Sequence, residues 1–244
     1  MKQQNLQKLA THKECTHGLS VGDTTKLVKS YNTSPKLYDY FCQAEDIGGV
    51  VANYLKKFCN PQKTVMLDIG CGTGKYVNIL SRYCKKVLGV EPVEPQLQFA
   101  REATKRLKIF NVGYMQGSGE KIPCRNKYAD LIIATWVTMC KQCSFQEMKR
   151  VLKKDGIIVR VSPCKKDDLT SLFPKLNVEK MKNNNKWFTD HGFKTKHHKL
   201  IIQFSNLGKS GNILSKVIGA KKNKIHKRVL EHCVVIQTYD SGKN

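Results

Sequence analysis

Val65-Met-Leu-Asp-Ile-Gly-Cys-Gly-Thr-Gly-Lys75 is an apolar strand that runs directly into three alternating glycines and then a helical pattern. Gly70, Gly72 and Gly74 permit positive φ and let a ligand lie against the main chain. Dinucleotide-binding loops use the same logic, but their third glycine falls three residues after the second, and that position here is Lys75. Asp68 ends the strand two residues before the first glycine. A carboxylate there opposes a pyrophosphate and suits an ammonium group or a network of hydroxyls and amides. The segment therefore points to a phosphate-free ligand and away from a nicotinamide-dependent oxidoreductase.

Outward from this stretch, short β-rich runs alternate with helical ones. Strands are expected at Thr64–Ile69, Lys86–Glu91, Val112–Gln116, Ala129–Ala134 and Gly156–Val161, with late ones at Lys199–Phe204 and His232–Gln237. Helices are expected at Lys75–Tyr83, Pro95–Lys108 and Ser144–Leu152, the last opened by a Ser144–Glu147 capping box. Upstream, apolar positions from Lys36 to Phe58 recur at helical spacing, broken at Gly48 and Gly49. The expected fold is α/β: a doubly wound, mostly parallel seven-stranded Rossmann-like sheet with a helical N-terminal lead-in. Residues 1–35 read as a polar arm, and 36–244 as a single domain with a basic insertion near 207–230.

Glu91 falls at the end of the second strand, 23 residues after Asp68. Ligands of doubly wound sheets sit beyond those strand ends, where an acidic group accepts hydrogen bonds from both ribose hydroxyls. LDIGCGTGKY and VLGVEPVEPQLQFA resemble the first two motifs of class I S-adenosylmethionine-dependent methyltransferases. Met115–Pro123 with Ala129–Ala134 resembles the third and fourth, and Glu147–Gly156 is similar to the family's helix and turn before strand five. The resemblance covers about Val65 to Val161 and implies S-adenosylmethionine as cofactor. Carried over, it implies that Gly70, Gly72 and Gly74 line the methionine end, that Asp68 holds the amino group and that Glu91 takes the ribose. It further implies that Ser118 and Gly119 border the adenine, with Ser118 where many relatives have Asp, and that Thr135 lies near the reacting methyl.

No catalytic residue is assigned, because a sulfonium methyl is already activated and the enzyme mainly aligns the nucleophile. Thr135-Trp-Val-Thr-Met-Cys140 lacks the Asn/Asp-Pro-Pro-aromatic signature of many amino-base methyltransferases. Trp136 can stack on a ring or pack in the core, Tyr31 and Tyr38 belong to the lead-in, and His197 and His198 offer a base or a solvated strand edge.

The chain has 43 basic and 19 acidic residues, a net charge of +24, and about +15 of it falls in residues 141–244. Such a field attracts a polyanion, so the expected acceptor is RNA, tRNA or rRNA. Val159–Leu172 distantly resembles the corresponding stretch of ribosomal RNA guanine-N1 methyltransferases, whose cysteine-rich zinc module is not evident here. A small-molecule acceptor is the alternative, and an inactive RNA-binding methyltransferase fold a third. No apolar run suits a membrane span or signal peptide, so a soluble, intracellular and cytoplasmic protein with reduced thiols is expected. Cys140 and Cys143 have C-x-x-C spacing but no second pair, so no metal is expected.

Overall fold

The computed structural model describes residues 34–173, 177–221 and 224–243. Helices α1 (Pro35–Ala44) and α2 (Val50–Lys56) precede β1 (Val65–Ile69), α3 (Lys75–Leu80), β2 (Lys86–Glu91), α4 (Glu94–Arg106) and β3 (Val112–Gln116). There follow β4 (Ala129–Thr135), α5 (Lys141–Val151), β5 (Leu152–Pro163), α6 (Val178–Asp190), β6 (Lys194–Gln203), α7 (Leu207–Ile218) and β7 (Val229–Asp240).

The seven strands form one sheet in the order β3-β2-β1-β4-β5-β7-β6. β1 through β5 pair in parallel, while β7 runs antiparallel to both β5 and β6. The chain reverses its order of strand addition between β1 and β4, and such a switch point opens a crevice beyond the strand ends. Parallel strands are covered on both faces, so β1 reads as near-continuous apolar residues, and all but its first are buried. On one face Val51 and Leu55 of α2 pack with Met66, Val77, Leu80, Leu131 and Ile236. On the other, Phe145, Met148 and Phe188 cover Leu67, Ile69, Ile132 and Ile158. Each such fully buried side chain contributes about 1.5–3 kcal/mol relative to exposure.

The expected sheet is present, with differences at its edges. The helix before β5 starts at Lys141 with Cys140 as its N-cap, which puts Ser144 in the helix interior, its buried Oγ without a partner. No capping box forms; Glu147 instead accepts from the Ile122 amide and from Arg150. The basic segment near 207–230 lies between β6 and β7. It contains α7, whose Ile213 and Leu214 are buried with Phe41 and Ala44 of α1, and Asn206 caps its N-terminus by accepting from the Lys209 amide. The thiols are not all reduced either: Cys164 and Cys233 form a disulfide, and Cys143 is disulfide-bonded too.

Candidate cofactor site

The glycine loop turns away from β1 onto the end of β2. The Gly70 and Cys71 amides donate to the Val90 carbonyl at 2.7 and 3.1 Å, and the Gly74 amide donates back to Cys71 at 2.9 Å. Gly70 and Gly74 hold φ of 70° and 85°, the left-handed region that glycine enters without penalty. A methyl group on Gly70 would meet Val137 Cγ2 at 2.5 Å, and one on Gly72 would meet Tyr38 Cε1 at 3.0 Å. The loop is thus a bare-backbone cradle, with Val137 from the segment after β4 against one glycine and Tyr38 of α1 against the next.

Glu91 is tied to this cradle. Its Oε2 accepts from the Gly72 amide and its Oε1 from the Val93 amide, both at 3.1 Å. Burial pushes its carboxyl up to about 7 despite those two hydrogen bonds. Asp68, only 1% exposed, has a buried Oδ1 with no partner. Burial and the neighbouring Glu91 hold its carboxyl well above the usual carboxylate range. Among the described residues neither carboxylate forms a salt bridge. Two buried carboxylates without a protein cation are costly unless a ligand supplies positive charge or donors.

Gly119 lies against the end of β1, where a methyl group would reach Ser144 Oγ at 3.0 Å and Ile69 Cγ2 at 3.5 Å. Ser118 opens the turn in which its amide donates to the Lys121 carbonyl and the Lys121 amide donates back. Thr135 ends β4, paired with Val161. Asp68, Gly70, Gly72, Gly74 and Glu91 are therefore brought together at the switch point, with Gly119 and Thr135 at the adjoining strand ends. His197 and His198 lie on β6 at the far edge of the sheet, four strands from β1, and Tyr31 falls outside the described residues.

Several further residues stand at the rim. Trp136 adopts φ of 54°, and its indole stacks on Tyr76 with centroids 6.0 Å apart and planes at 13°. Asp46, also left-handed at φ 53°, caps α2 by accepting from the Val51 and Ala52 amides at 3.0 and 3.2 Å. Its Oδ1, the Tyr76 hydroxyl, the Thr73 hydroxyl and the Trp136 Nε1 are buried without partners. Lys75 Nζ donates to the Cys42 and Glu45 carbonyls, fastening the end of α1 to the helix that follows the glycine loop. Burial raises the Tyr76 phenol, with Asp46 and Glu45 adding to it.

Residues 67–160 match the family described as a methyltransferase domain. Over this stretch, less than half of its length, the chain is similar to S-adenosylmethionine-dependent methyltransferases. It is 37% identical over 94 residues to a protein-L-isoaspartate O-methyltransferase of Bradyrhizobium, which covers 38% of this chain and 42% of that one. It is 25% identical over 159 residues to a ubiquinone/menaquinone biosynthesis C-methyltransferase of Campylobacter jejuni, 58% of this chain and 65% of that one. The crystal structure of an S-adenosylmethionine-dependent methyltransferase from Aquifex aeolicus superposes with a TM-score of 0.53 at 16% identity, over 87% of this chain and 96% of that one. The chain spans less than two thirds of the length of the first curated relatives it matches.

S-adenosylmethionine is the cofactor of this methyltransferase family, and the residues fit it. Asp68, whose buried Oδ1 has no partner, would hold its ammonium and Glu91 its ribose hydroxyls, and the cradle that any β-carbon on Gly70 or Gly72 would crowd would hold its methionine end. No helix among the described residues is long and apolar enough to cross a membrane.

Proposed function

We propose that the protein transfers the methyl group of S-adenosylmethionine to a small-molecule acceptor held beside Tyr76 and Trp136. The observation that carries the reading is the pair of buried carboxylates, Asp68 and Glu91, beside a glycine cradle and without a salt bridge among the described residues. The bound cofactor supplies a methyl group on a positively charged sulfur, already activated toward attack.

The chain's own residues bind and orient. Asp68 accepts from the ammonium and Glu91 from the ribose hydroxyls, while its hold on the Gly72 amide keeps the loop in register with the end of β2. Ser118 and Gly119 border the adenine. Lys75 fastens α1, and with it Tyr38, over the loop, which limits access of water. For the acceptor, the unpartnered Asp46 Oδ1, Tyr76 hydroxyl and Trp136 Nε1 are polar groups that buried sites rarely leave unsatisfied. They favour a compact acceptor that carries hydrogen-bonding groups next to a flat face.

RNA is the second reading, favoured by the +24 net charge and by the exposed Lys209, Lys216, Lys221, Lys224 and Lys227 on and after α7, which packs against α1. One experiment separates the readings: transfer of radiolabelled methyl from the cofactor to fractionated RNA and small-molecule pools. Label in the small-molecule fraction is expected. Label confined to RNA replaces the acceptor assignment, and tight cofactor binding with no transfer to any pool replaces the enzyme by an inactive binding protein.

A further inference from the structure

A second cluster lies on the other side of β5, in strands that the cofactor site does not use. β5 and β7 pair antiparallel up to Pro163 opposite Val234. The ladder then continues one step, because the Cys164 amide donates to the Cys233 carbonyl at 3.0 Å. Cys164 therefore stands across from Cys233, with Cα atoms 5.7 Å apart and the sulfurs bonded. On the opposite edge of β7, His197 of β6 pairs with Val235 and Lys199 with Cys233. Alternate residues of a strand share a face, so His197 sits diagonal to Cys233 on the face that also carries Cys164. A ring nitrogen of His197 and the two sulfurs all lie within 4.8 Å of one another. Both cysteines are half-buried, and His197 is exposed.

The imidazole is the informative member. A disulfide needs only two cysteines, whereas two thiolates and a neutral imidazole from three adjacent strands are a soft N/S donor set. With Zn–S near 2.3 Å and Zn–N near 2.0 Å, tetrahedral ligand atoms sit roughly 3.5–3.8 Å apart. The ligand atoms lie at most 4.8 Å from one another, and opening the disulfide frees the sulfurs to separate toward that spacing. We propose that, when the Cys164–Cys233 bond is reduced, Cys164, Cys233 and His197 bind one Zn2+, with water completing the tetrahedron on the exposed side of His197. A reductant supplies two electrons and two protons to open the disulfide to two thiols. Zn2+ then displaces the two thiol protons to solvent and takes the imidazole lone pair, with no change in its own oxidation state. The bound ion would clamp the exit of β5 to β7 and β6, next to Asp167, which already accepts from the Cys233 amide at 2.7 Å and from His232 at 2.9 Å.

The test uses the full chain, opened with a phosphine under argon and counted for thiols with a chromogenic reagent, so that reduction is verified before metal is added. Zn2+ is titrated against a chromophoric chelator, and Co2+ is used in parallel because thiolate-to-cobalt charge transfer reports sulfur ligation. One tight site per chain is expected. Replacing both Cys164 and Cys233 with Ser removes it and its charge-transfer band. His197→Ala, an exposed change that keeps the fold, weakens binding at least tenfold and alters the ligand-field bands while thiolate ligation persists. The double change Cys59→Ser, Cys84→Ser, at the other neighbouring pair of thiols, leaves the site intact. The proposal is overturned by a fully reduced chain that takes up no stoichiometric metal, by binding that survives the Cys164 and Cys233 changes, or by a His197→Ala protein that titrates like the parent.

Discussion

Gly70→Ala tests the cradle most directly, because two separable penalties converge on one atom. The first is conformational: φ at Gly70 is 70°, and an L-residue in that region costs roughly 1–2 kcal/mol. The second is steric: the new methyl group would lie 2.5 Å from Val137 Cγ2 and 3.0 Å from Cγ1, and overpacking of this kind costs typically 1–3 kcal/mol. Together they predict a loss of about 2–5 kcal/mol in urea unfolding of the cofactor-free protein. Val137→Ala alone removes two methyl equivalents from a half-buried site and costs about 1 kcal/mol. In the double variant the steric penalty has no partner and only the conformational one remains. The cycle should therefore show a favourable coupling of about 1–3 kcal/mol between the two substitutions. Calorimetric titration of S-adenosylmethionine on the same four proteins supplies the functional arm: Gly70→Ala weakens binding, and Val137→Ala does not restore it, because the methyl group still occupies the cradle. Additive stabilities would refute the contact between Val137 and the loop, and full-strength cofactor binding by Gly70→Ala would refute the cradle itself.

Three further outcomes follow from the same site. Glu91 is held near 7 in the folded chain against an ordinary value of 4.5, so its contribution to stability is present below 4.5 and lost as pH rises through 7. Glu91→Gln should thus stabilise the cofactor-free protein at pH 8 relative to pH 5 by up to about 3 kcal/mol, measured by urea unfolding at both values, while weakening cofactor binding; an unchanged difference between the two pH values contradicts the buried charge. Asp68→Asn should weaken the cofactor at least tenfold without lowering the melting temperature, since it replaces a buried carboxyl whose Oδ1 has no hydrogen-bond partner. Lys75→Met removes the two carbonyl contacts at the end of α1, and hydrogen exchange in residues 35–44 should accelerate while β1 stays protected; equal protection in both proteins argues against the fastening role.

The parallel half of the sheet was legible because burial on both faces leaves uninterrupted apolar runs, and β2 has the bounds its residues announced, Lys86–Glu91. Asp68, the three glycines and Glu91 were legible for a related reason: chemistry at a switch point fixes residue type and spacing along one continuous stretch. The rim was not. Asp46, Val137 and the consecutive Lys75 and Tyr76 reach the site from three segments, and each is of a type that serves equally well as cap, surface charge or core. β6 begins at Lys194 rather than Lys199 because its first six residues, Lys-Thr-Lys-His-His-Lys, lie at the sheet edge and carry no apolar alternation. α7 was hidden by its lysines, although Leu207, Ile213, Leu214, Val217 and Ile218 trace one face of a helix. Ser144 and Glu147 have the spacing of a cap, but the helix had already begun at Lys141, so spacing without the preceding turn misled.

The charge of the whole chain and the charge of the site have opposite signs, and this gives the acceptor question a physical handle. A net charge of +24 creates a field that disfavours a cofactor carrying one net positive charge, so the affinity must come from the desolvated carboxylates of Asp68 and Glu91, whose short-range attraction salt screens little. Salt instead screens the long-range repulsion from the lysines. Cofactor affinity should therefore hold steady or rise slightly between about 50 and 200 mM salt, whereas any polyanion bound through those lysines should lose affinity by orders of magnitude over the same interval. A small uncharged acceptor would leave turnover following the cofactor curve. Turnover that collapsed with salt while cofactor binding held would mean that the acceptor is gripped by the basic surface, and the assignment would pass to RNA.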